Sequence, residues 1–197
     1  MAEPEPDGAD RAPGGRRRYV ILGPPASGKG TQGRRLAAHL GVRHVSTGQL
    51  LRRSIESGDP HGIAPFVAEG RRVPDEIVEA VLGPALEDGF ILDGYPRTAH
   101  QAERLDQLLG DGGVDGVIEL FLEDETLTVR MVLRAEEEKR SDDTPEVFFR
   151  RLEDYRREEP EIRRYYDGRL ITVDSSGDED EVFSRLVDAL AGASVHP

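Results

Sequence analysis

Five short apolar runs punctuate this chain: Tyr19–Leu22, Val42–Val45, Phe90–Leu92, Val117–Leu122 and Leu170–Val173. They are too brief for helices and rich in Val, Ile and Leu, as strands buried on both faces are. Between them the apolar positions recur at helical spacing. Thr31–Leu40 sets Leu36, Ala37 and Leu40 on one face. A helix starting at Pro74 or Asp75 turns Ile77, Val78, Val81 and Leu82 inward until Gly83-Pro84 disturbs it. Thr98–Leu109, Glu125–Arg134, Pro145–Glu159 and Glu179–Leu190 continue the alternation. Asp143-Thr144-Pro145-Glu146 reads as a helix start, with a capping side chain, a proline in the first turn and an acid near the positive end of the dipole. Strand alternating with helix predicts an α/β fold, a five-stranded parallel sheet with helices on both faces.

Composition narrows the function classes. A chain of 197 residues can bury one sizeable core with smaller insertions. No stretch is long and apolar enough to span a bilayer or serve as a signal-peptide core, so a soluble cytoplasmic protein is expected. Cysteine is absent, which removes disulfides and thiolate zinc sites. A net charge of -13 argues against broad binding to nucleic acid or anionic membrane, so any anionic ligand must be held locally. Nearly all the positive charge is arginine; the only lysines are Lys29 and Lys139. Met1–Gly15 is rich in Pro, Gly, Ala and acid without periodicity and is expected to be a disordered tail, with the folded domain starting at residue 16.

The strongest chemical signal follows the first strand. Gly23-Pro24-Pro25-Ala26-Ser27-Gly28-Lys29-Gly30-Thr31 leads from strand directly into helix, the setting of a P-loop. There glycines let backbone N–H groups wrap a phosphate, the helix N-terminus adds positive potential, and the lysine reaches the outer phosphates. The alternative is a Gly/Pro-rich turn carrying an exposed lysine. Gly30 stands where Ser or Thr usually follows the lysine, with Thr31 one later.

Gly28-Lys29-Gly30-Thr31-Gln32 resembles the nucleoside monophosphate kinases, adenylate kinases in particular. The resemblance extends through Ser46-Thr47-Gly48-Gln49-Leu50-Leu51-Arg52, Val73-Pro74-Asp75-Glu76-Ile77-Val78, and Gly89 to Thr98 with Gln101. It continues at Arg130, Arg134, Arg140-Ser141-Asp142-Asp143, Arg151-Leu152 and Tyr155, so it covers most of the chain. It implies a core domain, a helical AMP-binding insertion at about residues 46–75, and a lid of the short type at about residues 134–140. Only five residues separate Arg134 from Arg140, which leaves no room for the larger, sometimes zinc-bearing lid. A monomer is expected.

The activity so implied is reversible phosphoryl transfer between ATP and AMP, with magnesium. An acceptor phosphate is already ionised at neutral pH, so no general base is needed; repulsion between two polyanions is the obstacle. Guanidiniums converging on both nucleotides would overcome it. By the resemblance, Ala26, Ser27, Gly28, Lys29, Gly30 and Thr31 hold the ATP phosphates, Arg130 stacks on its adenine, and Gly177 touches that base through backbone. Arg52 and Arg97 hold the AMP phosphate, while Arg134, Arg140 and Arg151 bridge the nucleotides. Thr47 and Gln101 face the AMP base, a glutamine amide being able to pair with adenine's donor and acceptor edge. Arg71, Arg72 and Val73, with Gly94, Tyr95 and Pro96, complete the AMP pocket. Lys29, Arg97, Arg134, Arg140 and Arg151 form the catalytic set. Asp93, closing a predicted strand where ligands of open α/β sheets gather, is assigned to magnesium through water. The five histidines show no metal-ligand spacing and read as structural or surface groups.

Three positions depart from the family pattern. Ala26 replaces a glycine in the P-loop, Gln49 stands where an aspartate helps hold hydrated magnesium, and Arg72 replaces an apolar residue beside the AMP base. Two alternatives stay open: a kinase for UMP or CMP, and a catalytically weak nucleotide-binding sensor.

Overall fold

The computed structural model describes residues 17–86, 89–110, 112–138 and 144–193, leaving aside the side chains of 134–138. The predicted tail and most of the predicted lid, Arg140 included, lie outside the described residues.

All five predicted strands form. They are β1 (Arg18–Leu22), β2 (Arg43–Ser46), β3 (Phe90–Asp93), β4 (Gly116–Phe121) and β5 (Leu170–Asp174). They pair in parallel in the order β2-β3-β1-β4-β5. Helices α1 (Lys29–Leu40), α2 (Thr47–Glu56), α3 (Ala64–Ala68), α4 (Asp75–Leu82), α5 (Ala99–Leu109), α6 (Asp124–Glu138), α7 (Pro145–Tyr165) and α8 (Glu179–Ala193) connect them. The strand runs read as nearly unbroken apolar sequence because both faces are covered. Val20, Leu22, Phe90, Leu92 and Val117 pack towards Leu82, Leu105 and Tyr166. Their neighbours Ile21, Ile91 and Ile118 pack with Leu36, Leu186 and Leu190 of α1 and α8. A smaller cluster joins Leu127 and Met131 of α6 to Phe148 and Leu152 of α7, with Ala26 against it.

Caps behave as the side chains dictate. Thr98 accepts from the Gln101 N–H at 3.1 Å and Thr144 from the Val147 N–H at 3.3 Å, satisfying donors that a helix start leaves unpaired. Several boundaries shift by one to four residues, and the largest difference is at the end of α7. The predicted helix Pro145–Glu159 ends just before Pro160, yet α7 runs on to Tyr165. A proline in a helix interior costs about 3 kcal/mol. Burial of Ile162 at 4 % exposure, worth roughly 1.5–3 kcal/mol, together with fully buried Tyr166, offsets that cost.

Register sets the site. Ile21 lies beside Asp93, and Leu22 beside Glu119, so the P-loop after β1 and the ends of β3 and β4 share one edge of the sheet. That is the carboxyl edge, where ligands of parallel sheets bind.

Candidate active site

At this edge opens a cleft of about 650 Å³, a volume suited to a nucleotide-sized ligand. All six P-loop residues from Ala26 to Thr31 line it. Gly28 forms the N-cap of α1 at φ +92°, a left-handed conformation natural to glycine, so the loop turns sharply into the helix. The first-turn N–H groups of α1 therefore face the cleft with the positive end of the helix dipole behind them. Gly23 permits a close approach: a Cβ there would come 2.6 Å from the Leu120 carbonyl oxygen. Ala26 does adopt the conformation that makes it a departure, at φ +65°. Lys29 Nζ donates to the Pro24 carbonyl at 2.6 Å, so its ammonium curls over the loop.

Arg52, Arg72, Arg97, Arg130 and Arg151 line the same cleft, with Arg130 beside the P-loop, where a Cβ on Gly28 would lie 3.8 Å from its Nη1. Arg97 donates Nε–H to the Gly94 carbonyl at 2.9 Å, which fixes its fork. Water reaches it from the cleft, yet desolvation by the surrounding protein lowers its pKa, with Arg151 and then Arg72 adding repulsion against the pull of Asp93. A guanidinium remains charged through such a shift. Like charges held together this way favour a polyanion between them. Arg130 donates to the carbonyls of Ser175 at 2.9 Å and Gly177 at 3.1 Å, which ties α6 to the loop before α8. Its guanidinium plane is fixed at that end of the cleft. Arg134 belongs to α6, but its side chain lies outside the described residues, as Arg140 does entirely.

A smaller pocket of about 100 Å³ continues from the cleft between the insertion and β3. Thr47, Arg71, Val73, Tyr95 and Gln101 line it, with Gly94 and the four cleft arginines Arg52, Arg72, Arg97 and Arg151 shared. Thr47 is buried with no hydrogen-bond partner for its hydroxyl, and Gln101 is 4 % exposed. The Gln101 amide is already engaged, donating to Asp75 at 2.6 Å and accepting from the Arg97 N–H at 2.7 Å. Arg71 turns to Glu69 at 2.6 Å and lies over the Phe66 ring. Pro96 follows a cis peptide bond and lines the main cleft.

Asp93 closes β3 within the cleft; a Cβ on Gly30 would lie 3.7 Å from its Oδ2, so the carboxylate faces the start of α1. Sequence reasoning passed over several cleft residues. His44 lies 3.9 Å from Asp93, and burial lowers its pKa. Glu119 is 2 % exposed and lines the cleft together with Tyr155, Glu159 and Arg163. An acid inside the apolar run Val117–Leu122 was the signal available for it.

A family model for adenylate kinase matches residues 21–170. The chain belongs to the adenylate kinase family. Curated adenylate kinases agree along nearly the whole kinase. That of Micrococcus luteus is 41 % identical over 88 % of this chain and 90 % of its own length. That of Thermus thermophilus is 42 % identical over 87 % and 95 %. The enzyme of Xanthobacter autotrophicus is 42 % identical over 90 % of this chain and all of its own. The kinase is thus a phosphotransferase, and its P-loop and arginine-lined cleft stand at the sheet edge where that chemistry is expected.

Proposed function

We propose that this cleft transfers the terminal phosphoryl group of ATP to AMP, giving two ADP, and runs equally in reverse. The observation that carries the reading is one cleft lined both by the P-loop and by a cluster of arginines that includes Arg52, Arg97, Arg130 and Arg151. ATP phosphates would lie on the loop from Ala26 to Thr31 and on Lys29, with Arg130 and Gly177 against the base. AMP would enter the side pocket, its phosphate on Arg52 and Arg97 and its base near Thr47. An AMP phosphate oxygen attacks the γ-phosphorus while the bond to the β–γ bridging oxygen breaks, and that electron pair leaves with ADP. No proton needs to be removed from the acceptor. Arg97 and Arg151, with Arg134 and Arg140 of the lid, would hold the two anions in line and oppose the charge on the transferring group.

Asp93, facing the P-loop from the end of β3, fits a hydrated magnesium ion that arrives with ATP; magnesium supplies charge neutralisation of the phosphate oxygens when bound. Gln49 also lines the cleft and offers an amide where the family has a carboxylate. We read the kinase as a cytoplasmic monomer with small-molecule partners; among the described residues no helix is long and apolar enough to cross a membrane.

A coupled assay of ADP formation with ATP and AMP, CMP or UMP at equal concentration tests the reading. AMP should be the fastest acceptor. Faster turnover with a pyrimidine monophosphate would assign the kinase to another acceptor, and no turnover with any would leave a nucleotide sensor.

A further inference from the structure

Four of the six residues that α7 contributes to the cleft fall at successive four-residue steps: Arg151, Tyr155, Glu159 and Arg163. Such spacing puts them on one face, about 6 Å apart along the axis. The first is the arginine that the proposed function sets between the nucleotides. Glu119, two residues before the end of β4, holds the second and fourth. Its Oε1 accepts from the Tyr155 hydroxyl at 3.3 Å, and its Oε2 lies 3.0 Å from Arg163 Nη1. Thr172 of β5 donates to the same Oε2 at 3.3 Å, and Arg163 also pairs with Glu159 at 3.2 Å. Burial raises the Glu119 pKa while Arg163 lowers it. A buried carboxylate is costly unless paired and hydrogen-bonded, and this one is both.

Between the two residues it holds lies Pro160, which removes one backbone hydrogen bond from the C-terminal third of α7. The carboxylate therefore clamps the helix on both sides of its weakest turn. A direct catalytic part for Glu119 is not needed, because the acceptor is already ionised and a bare acid near phosphate would only repel it.

We propose that Glu119 is a positioning residue for phosphoryl transfer, clamping α7 through Tyr155 and Arg163 across Pro160 so that Arg151 is held at its working angle. The inference rests on the part given to Arg151 in the proposed function. A displacement of about 1 Å at a reacting centre can cost on the order of 100-fold in rate, so a modest helix rotation suffices.

The test compares Glu119→Gln and Tyr155→Phe, each alone and combined with Arg151→Ala, by steady-state kinetics and thermal melting. Tyr155→Phe removes only a hydroxyl and keeps the comparison valid if Glu119→Gln fails to fold. Each single variant should lower kcat about tenfold with little change in KM for ATP. In the Arg151→Ala background the same changes should cost less than about twofold, since the group they orient is gone. Equal losses in both backgrounds, or no loss in the wild type, would overturn the proposal while leaving the function of Arg151 intact. Full activity of Arg151→Ala alone would instead remove Arg151 from the reaction, and the positioning role with it.

Discussion

Arg72 Nη2 lies 3.0 Å from Glu158 Oε1, joining the segment between α3 and α4 to α7 beside the cleft that both Arg72 and α7 line. Nearby, Arg150 donates to the Glu69 carbonyl, and a Cβ on Gly70 would press against Val147 at 2.7 Å. The insertion and α7 are therefore in contact beside the pocket assigned to AMP. Both partners of the pair are partly exposed, so its loss should cost at most about 1 kcal/mol of stability. Arg72→Leu would restore apolar contact beside the base, worth about 1 kcal/mol or roughly fivefold in affinity. KM for AMP should fall by about that factor while KM for ATP stays unchanged. A rise in KM for AMP would show that the charge of Arg72 itself serves AMP.

Ala26 at φ +65° holds a conformation that costs a residue with a Cβ about 1–2 kcal/mol. Ala26→Gly relieves that strain but adds about 0.4–1 kcal/mol of chain entropy to the unfolded state. A net gain of about 1 kcal/mol is expected. For a chain of this size the melting temperature should rise by about 2–4 °C. A decrease would mean that the packing of the Ala26 methyl against the α6–α7 apolar cluster outweighs the backbone strain.

Arg104 meets Glu79 through a two-point fork, Nε to Oε1 at 3.0 Å and Nη2 to Oε2 at 2.7 Å, linking α5 to α4. That hydrogen bonding holds the Glu79 carboxyl below the usual glutamate range. Folding thus weakens its hold on a proton. The stability it lends is complete above the unfolded value of about 4.3 and is lost as pH falls through the lower folded value. Melting of wild type and Glu79→Gln between pH 7 and pH 3 should show a gap that closes below pH of about 4. A gap independent of pH would mean that the charge of Glu79 contributes nothing.

Local features were legible in the sequence and distant partnerships were not. The P-loop could be read because its glycines, lysine and following helix lie within nine residues. Asp93 could be read because it closes an apolar run. The part played by Glu119 depends on Tyr155, Arg163 and Thr172, thirty-six or more residues away, and no local pattern announces such pairing. The passage of α7 through Pro160 was hidden for a related reason. Its cost is visible locally, whereas the burial of Ile162 and Tyr166 that offsets it is a property of the packed core.

Lys29 separates the two meanings its position can have. Its ammonium donates to the Pro24 carbonyl within the loop, a bond that could brace the loop or merely park the side chain until phosphate arrives. A hydrogen bond from a charged group contributes about 1.5–3 kcal/mol net when shielded and less where, as here, the ammonium borders an open cleft, so the melting temperature of Lys29→Met should fall by about 5 °C at most if the lysine serves phosphate. Preorganised charge stabilisation is worth far more, about 3–4 kcal/mol or 100- to 1,000-fold in kcat. If the lysine serves phosphate, Lys29→Met should lose activity on that scale, bind ATP more weakly by titration, and melt close to the wild type. A variant that melts much lower yet retains kcat would make Lys29 a brace of the loop, leaving the backbone N–H groups of α1 and the arginines to carry the charge.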